Sequence, residues 1–465
     1  MPKISEILKN KFPYGPTSDQ KDLFNLFDQF LLKDGPDTLL IKGYAGTGKT
    51  SIVSVLVKVL PLFKFKFMLL APTGRAAKVL SNYSGRKAFT IHKIIYKLAQ
   101  DKDTGELRFK RVKNYLKNTI FFIDEASMIY EDQQFGKSGL LKDLIDYVFE
   151  DASNRLVLIG DTAQLPPVGQ DYSGALDKEN LELRYHLKVK DHELREVVRQ
   201  EQDSGILINA TAIRDKISLE VPEIHIITRA FSDVFRMQGD KMEDGLRYVY
   251  NKFGIEDSII ICQSNKQANS YNQFIRRNIL FFDDEIDAGD YIMVVKNNYY
   301  WLGEDSTAGF LANGDFAEVL KISNVEERFG FHFADLSLRL IDYPDHPNIE
   351  VKVILNTLYA PVPSLTTEDN QKLYENVAAI YEGVTKKEFN LAMSEDPYLN
   401  ALQIKFKYAI TCHKSQGGQW SAVFLDQGFL RQSTIDISYL RWLYTGITRA
   451  TKELFLVNFH EDFFT

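Results

Sequence analysis

Residues 38–60 read TLLIKGYAGTGKTSIVSVLVKVL, and the order of chemistry along this stretch sets the fold. Thr38 to Lys42 is short, mostly apolar and closed by Gly43, which reads as a buried strand. Gly43-Tyr44-Ala45-Gly46-Thr47-Gly48-Lys49-Thr50 then matches G-x-x-x-x-G-K-[ST] at every fixed position. Lys49 to Leu60 follows as a helix. The glycines let the backbone curl so that its N–H groups face an anion, and the helix N-terminus adds the positive end of its dipole. Lys49 is expected to reach the β and γ phosphates of a nucleotide, and the Thr50 hydroxyl to bind Mg²⁺. A chance match in a surface loop is the bland alternative. The strand before the loop and the helix after it argue against that.

Outward from the loop, strands and helices keep alternating. Phe65 to Leu70 is a strand ending at Ala71-Pro72-Thr73-Gly74, and Arg75 to Ser81 a helix. Ile120 to Ile123 is a strand, Leu140 to Phe149 a helix, and Arg155 to Ile159 a strand ending in Gly160-Asp161. The pattern resumes with a strand at Ser258 to Cys262, a helix at Gln267 to Asn278 and strands at Tyr408 to Thr411 and Ala422 to Leu425. A helix at Tyr439 to Thr448 and a strand at Leu454 to Val457 complete it. Such alternation implies parallel sheets with helices on both faces, here as two α/β modules with a cleft between them.

Two segments interrupt this rhythm. The charged stretch Lys97 to Lys113, with a turn at Asp103-Thr104-Gly105, reads as a hairpin insertion. Its Arg108, Lys110, Arg111 and Lys113 suit either a strand-splitting pin or a solvated loop. Ala288 to about Pro363 alternates and turns often, as a small β-barrel would. Its Tyr299, Tyr300 and Trp301 are read as barrel core. Thr366 to Asn400 looks helical and polar. The expected domains are residues 1–215, with the hairpin at about 97–113; residues 216–287 plus 403–465; and an inserted barrel with helical extension at 288–402.

A phosphate loop needs a carboxylate partner for its metal. Asp124 and Glu125 follow the apolar strand, so Asp124 is expected to hold Mg²⁺ and Glu125 to orient or deprotonate the attacking water. Gln164, in Gly160-Asp161-Thr162-Ala163-Gln164, is an uncharged donor and acceptor suited to sensing a γ-phosphate. Phosphoryl transfer also needs cations against developing charge. Arg199 and Arg449 are candidates, although taken singly each reads as a surface arginine.

Composition bounds the rest. The 465 residues are 45% hydrophobic and 26% charged, as in ordinary globular chains. The net charge of −7 excludes a uniformly basic coat but not a local positive groove. The two cysteines, Cys262 and Cys412, lie in apolar runs and read as reduced core thiols. No Cys/His cluster suggests zinc. Met1 to Phe12 lacks the apolar stretch of a signal peptide, and no apolar run approaches membrane-spanning length, so a cytoplasmic chain with no membrane partner is expected.

The motifs now form an ordered set: Gly43–Thr50, DEASM at 124–128, GDTAQLPPVG at 160–169, VVRQ at 197–200, HKSQG at 413–417 and YTGITRA at 444–450. Together they resemble the superfamily 1 helicases of the RecD, Dda and petite-integration-frequency group, over nearly the whole chain from Gln20 to Val457. The resemblance implies two RecA-like motor domains with ATP between them, a hairpin in the first and an SH3-like barrel inserted in the second. It implies that Gln20 contacts adenine, that Ala45, Gly46, Thr47, Gly48 and Gly417 also face the nucleotide, and that Arg199 and Arg449 are arginine fingers. It further implies that Gln164 couples hydrolysis to DNA. Pro72, Thr73, Thr90, His92, Thr411, His413, Lys414 and Ser415 would grip single-stranded DNA. Hydroxyls and backbone amides can hold phosphates without reading sequence, and rings can stack on bases. Outside this context His92 and His413 read as structural histidines. The expected activity is a free-standing, monomeric, ATP- and Mg²⁺-dependent DNA helicase moving 5′→3′ on single strands and opening duplex junctions, with no nuclease. A single-strand translocase without unwinding, an RNA helicase, and a P-loop ATPase acting as a regulatory switch are the alternatives.

Overall fold

The strands that end at functional motifs all finish along the same edge of their sheets. In the computed structural model, which describes residues 3–464 apart from 101–106, 132–138, 199–203, 218–223, 303–305, 307–309 and 429–434, the first module is a six-stranded parallel sheet. Its strands are β1 (Thr38–Gly43), β2 (Lys66–Ala71), β3 (Ala88–Thr90), β6 (Thr119–Ile123), β7 (Arg155–Gly160) and β8 (Val189–Leu194), in the order β3-β2-β6-β7-β1-β8. The register aligns Leu70 with Ile123, Ile123 with Leu158 and Lys42 with Gly160. The phosphate loop, the Asp124-Glu125 pair and the Gly160 turn therefore emerge side by side. Ligands bind at the carboxyl ends of such sheets. Both faces are covered, by Phe24, Phe27 and Leu56 on one side and Leu141, Leu144 and Leu176 on the other.

An antiparallel pair, β4 (Tyr96–Gln100) and β5 (Leu107–Arg111), forms the hairpin of this module. The second module is a five-stranded parallel sheet of β9 (Val234–Met237), β10 (Ser258–Cys262), β16 (Ala409–Thr411), β17 (Trp420–Asp426) and β18 (Ala450–Val457), in the order β16-β10-β17-β18-β9. Between β10 and β16 the chain builds a closed barrel from β11 (Tyr291–Val294), β12 (Phe316–Arg328), β13 (Phe331–Leu340), β14 (Ile349–Ile354) and β15 (Leu402–Phe406). Two helices, Thr367–Ala378 and Lys386–Glu395, cap it through Leu373, Val377 and Met393 packed against Phe331, Phe333 and Ile354. Each begins at a capping box, Thr366 with Asp369 and Thr385 with Glu388, which satisfies amides the first turn would leave bare.

Two expected boundaries move. The helix Gly205–Lys216, assigned by sequence to the first module, buries Ile206, Ala210 and Ile213 in the core of the second, against Leu443, Ile447 and Leu454. The barrel runs past 402, because residues 403–406 belong to β15 and pair with β11, Ile292 facing Phe406. Both segments are apolar and regular, so periodicity could not say which neighbour they join. Of the three barrel aromatics, Trp301 is half-buried and donates to the Asn400 carbonyl at 2.7 Å, while the Tyr300 hydroxyl donates to that of Glu395 at 2.9 Å. Tyr299 instead tilts against Phe310, 4.7 Å between ring centres. Both cysteines are free and buried, and burial raises both thiols. Among the described residues no helix is long and apolar enough to cross a membrane.

Candidate nucleotide seam and nucleic-acid cleft

The phosphate loop owes its curl to glycine. Gly46 and Gly48 have φ of 76° and 81°, the left-handed region where a side chain is strained. The Thr47 hydroxyl donates to the Tyr44 carbonyl at 2.8 Å, and Lys49 Nζ donates to the Gly43 and Tyr44 carbonyls at 2.7 and 2.9 Å. Lys49 thus rests on its own loop. Gln20 is almost wholly buried; its Nε2 donates to the Thr47 carbonyl at 3.0 Å while its Oε1 accepts from the Thr17 amide at 3.1 Å. The structure therefore places Gln20 as a brace behind the loop.

Asp124 is half-buried just past the end of β6. Burial first, and then the neighbouring Glu125 charge, push its carboxyl up to about 7, against the pull of the Glu125 amide and of Lys49. A carboxylate so short of stabilisation fits a cation. Among the described residues no group of three or more His, Cys, Asp or Glu could hold a metal by itself. Glu125 has φ of 52°, a conformation that costs energy outside glycine and gathers at functional sites. Gln164 is 6% exposed and its Oε1 has no hydrogen-bond partner among the described residues.

The second module meets this loop through the helix Ile437–Ile447. The Tyr444 hydroxyl donates to Asp161 Oδ2 at 2.7 Å and accepts from the Ala45 amide at 2.9 Å. Asp161 also accepts from the Ala163 amide at 2.9 Å. The next residue, Thr445, accepts the Leu165 amide on its hydroxyl at 2.9 Å, and Gln416 Nε2 donates to the Leu165 carbonyl at 2.6 Å. Ala163 and Leu165 are themselves embedded in the apolar core of the second module. The sequence reading quoted Tyr444 and Thr445 without giving them a role. Their place on the helix leading into Arg449 was the available signal.

Arg449 departs from expectation. It is 3% exposed, and its guanidinium donates to the Thr445 and Gly418 carbonyls at 3.0 and 3.2 Å and to the Thr448 hydroxyl at 3.2 Å. All three partners lie in its own module, so it does not meet the Lys49 loop in this structure. Arg199 lies outside the described residues. Gly417, expected at the nucleotide, has φ of 72° and sits against the helix Gly74–Ser84, where an added Cβ would stand 3.0 Å from that of Ala76.

A second cleft, of about 380 Å³, lies among the two modules and the barrel, and gathers Pro72, Thr73, His92, His413 and Lys414. Tyr130, Lys296, Asn297, Phe310 and Asn313 also line it. The four barrel-side residues were missed because nothing local marks a loop as facing a distant strand end, and Tyr130 because it stands just past the DEASM block. Burial lowers Lys414 to about 8 and His92 to about 4, so His92 is a neutral ring at ordinary pH. Lys414 donates to the Asn313 side chain. The remaining three expected contacts are placed differently. Thr90 is buried and caps the short helix Ile91–Ile95, accepting from the Lys93 amide at 3.3 Å. Thr411 ends β16. Ser415 is fully buried and donates to the Cys412 carbonyl at 2.7 Å, so its hydroxyl is turned into the protein. Above the cleft, Gly74 lets the barrel approach: a Cβ there would meet the Tyr343 hydroxyl at 2.5 Å and Asp315 Oδ1 at 2.6 Å. Arg75 lies 4.1 Å over the Trp420 ring and 4.9 Å over that of Phe316, tying the first module to both others.

Residues 20–221 match the family model described as an AAA domain, and residues 406–457 that of the UvrD-like helicase C-terminal domain. The ATP-dependent DNA helicase dda of Enterobacteria phage T4 is 23% identical over 478 residues, covering 95% of this chain and 99% of that protein. An uncharacterized protein of Acanthamoeba polyphaga mimivirus is 23% identical over 493 residues, covering 92% and 96%. The ATP-dependent RecD2 DNA helicase of Deinococcus radiodurans is 30% identical over 137 residues, 29% of this chain and 17% of that one. Among solved structures, a Bacteroides Pif1 helicase in complex with ADP-AlF3 and ssDNA aligns over 97% of this chain and 94% of its own, at 16% identity and a TM-score of 0.50.

Proposed function

We propose that this chain is a superfamily 1 helicase of the RecD- and Dda-like 5′→3′ branch, a DNA helicase that moves along a single strand by hydrolysing Mg-ATP at the seam between its two α/β modules. The observation that carries this reading is the Tyr444 phenol, which bonds at once to the phosphate-loop amide of Ala45 and to Asp161. A nucleotide entering the loop acts on the very bonds that join the modules.

When bound, Mg-ATP supplies the phosphoryl group and the charge that draws the seam closed. Lys49, released from the Gly43 and Tyr44 carbonyls, binds the phosphate chain, and Thr50 and Asp124 hold the ion. Glu125 takes the proton of the attacking water, and Gln164 fixes that water or the terminal phosphate. Arg449 serves as a finger only once the Thr445 and Gly418 carbonyls let it go, and Arg199 is the second candidate. Pro72, Thr73 and His92 from one module and His413 and Lys414 from the other grip the strand, with Phe310 and Tyr130 as rings for bases. The two grips change spacing as the seam opens and closes, which advances the chain along DNA. Both modules lie in one polypeptide, so a monomer carries a whole seam.

The test is ATPase rate with and without single-stranded DNA, followed by unwinding of 5′-tailed and 3′-tailed duplexes. Wild type is expected to be stimulated by DNA and to open the 5′-tailed substrate. Lys49→Ala is expected to lose at least about a hundredfold in ATPase rate and all unwinding while keeping most DNA affinity. Unwinding by Lys49→Ala, or stimulation by RNA in place of DNA, defeats the reading.

A further inference from the structure

Arg214 stands on the helix Gly205–Lys216, which packs on the second module. Its guanidinium carbon lies 4.3 Å from the centre of the Tyr44 ring, and Tyr44 is the second residue of the phosphate loop. The ring is fixed from the other side by its hydroxyl, which donates to Glu193 Oε1 on β8 at 2.6 Å. Arg214 Nε and Nη2 both donate to Asp215 Oδ1, at 2.8 and 2.6 Å. Its Nη1 is buried and has no hydrogen-bond partner among the described residues. A buried donor left unmade costs at least as much as a cation–π contact returns. The stability of the free protein alone does not explain why the guanidinium stays over this ring. A groove lined by Tyr44, Thr162, Ala163, Arg195 and Arg214 opens beside it, so the pair sits where the phosphate loop meets the Gly160–Gly169 turn.

We propose that Arg214 is a positioning residue of the ATPase: it reaches across the seam to clamp the Tyr44 ring, and through it sets the curl of the phosphate loop. Arg449 is held within its own module, so among the described residues the arginine of the second module shown against the loop is Arg214. Because Tyr44 precedes Ala45, the same loop is gripped from the second module at two adjacent residues, by a cation on one ring and by the Tyr444 phenol on one amide. The inference rests on the seam being the ATP site.

The experiment measures binding of a fluorescent non-hydrolysable ATP analogue to the full chain, alongside single-stranded DNA affinity without nucleotide and the thermal midpoint. Arg214→Gln and Tyr44→Leu are each expected to weaken analogue binding about tenfold, the size of one cation–π contact, with DNA affinity unchanged in both and the midpoint unchanged in Arg214→Gln. Tyr44→Phe keeps the ring and is expected to bind within about twofold of wild type. Arg214→Lys keeps a cation but not the planar stack, and is expected to recover part of the loss. The double variant Arg214→Gln/Tyr44→Leu is expected to bind no worse than Tyr44→Leu alone. Losses that multiply in the double variant, or wild-type binding by Arg214→Gln, overturn the proposal. If Arg214→Gln does not fold, Arg214→Met, which keeps the apolar stem without the cation, makes the same comparison with and without Tyr44→Leu. Lys49→Ala separates the two readings: analogue binding that survives it removes the ATP seam itself, whereas loss there with wild-type binding by Arg214→Gln removes only the clamp.

Discussion

Tyr444 and Arg449 come from the end of one helix and the turn after it, yet they face opposite ways. Tyr444 leaves its module to bond the Ala45 amide and Asp161, and Arg449 folds back onto the Thr445 and Gly418 carbonyls. A phenol needs only one or two partners, and the loop supplies them without a ligand. A guanidinium carries five donors, and without phosphate oxygens the nearest carbonyls of its own module satisfy them better. The contrast separates contacts that hold the seam together from contacts that nucleotide must recruit.

That contrast can be broken in several ways. The largest effect is expected from Glu125→Gln, which removes the base but keeps the shape: kcat should fall about a thousandfold with ATP binding retained, read by single-turnover hydrolysis and analogue binding. A comparable loss of binding would mean that the strained Glu125 backbone, not its carboxylate, matters. Next comes a pH effect at the other cleft. Burial depresses His92 to about 4 from 6.5, so the unfolded chain takes up the proton first. Stability is then whole above about 6.5 and is lost as pH falls towards 4, by about 3 kcal/mol. Unfolding by urea at several pH values should show this slope in wild type and lose it in His92→Phe.

Tyr444→Phe deletes both seam bonds and keeps the ring. About 2 kcal/mol of coupling should be lost, seen as a roughly thirtyfold drop in DNA-stimulated ATPase with the basal rate little changed; an equal drop in both rates would reduce the phenol to a local role. The smallest effect is expected from Ser415→Ala. Its hydroxyl is turned onto Cys412, so single-stranded DNA affinity should stay within about twofold, with at most about 1 kcal/mol of stability lost. A tenfold loss of affinity would restore Ser415 to the strand.

The first module was the more legible half, for a physical reason. Its site is built by backbone at strand ends, and glycines, a Lys-Thr pair and an acid pair are local signals that survive without knowledge of neighbours. The parallel sheet, the hairpin and the barrel were likewise announced by period and turn chemistry. What the sequence could not carry was partnership. Arg214, Phe310 and Tyr130 lie in unremarkable local contexts and gain meaning only from what folds against them. The helix Gly205–Lys216 reads the same whichever core receives it. Resemblance supplied roles at matching positions, such as Arg449 and Ser415, but it could not say which way a side chain turns in this conformation.

Ala163 and Leu165 belong to a loop of the first module, yet they sit in the apolar interior of the second. Such a plug makes the two halves a ball joint more than a pair of jaws. Drawing Leu165 out would expose oily surface at a cost of about 2 kcal/mol, whereas a rotation about it keeps that surface covered and strains only the polar contacts around it. The stroke of this motor should therefore be a tilt about a fixed pivot beside the Gly160–Gly169 turn, and the step along the strand is set by how far the nucleic-acid cleft lies from that pivot.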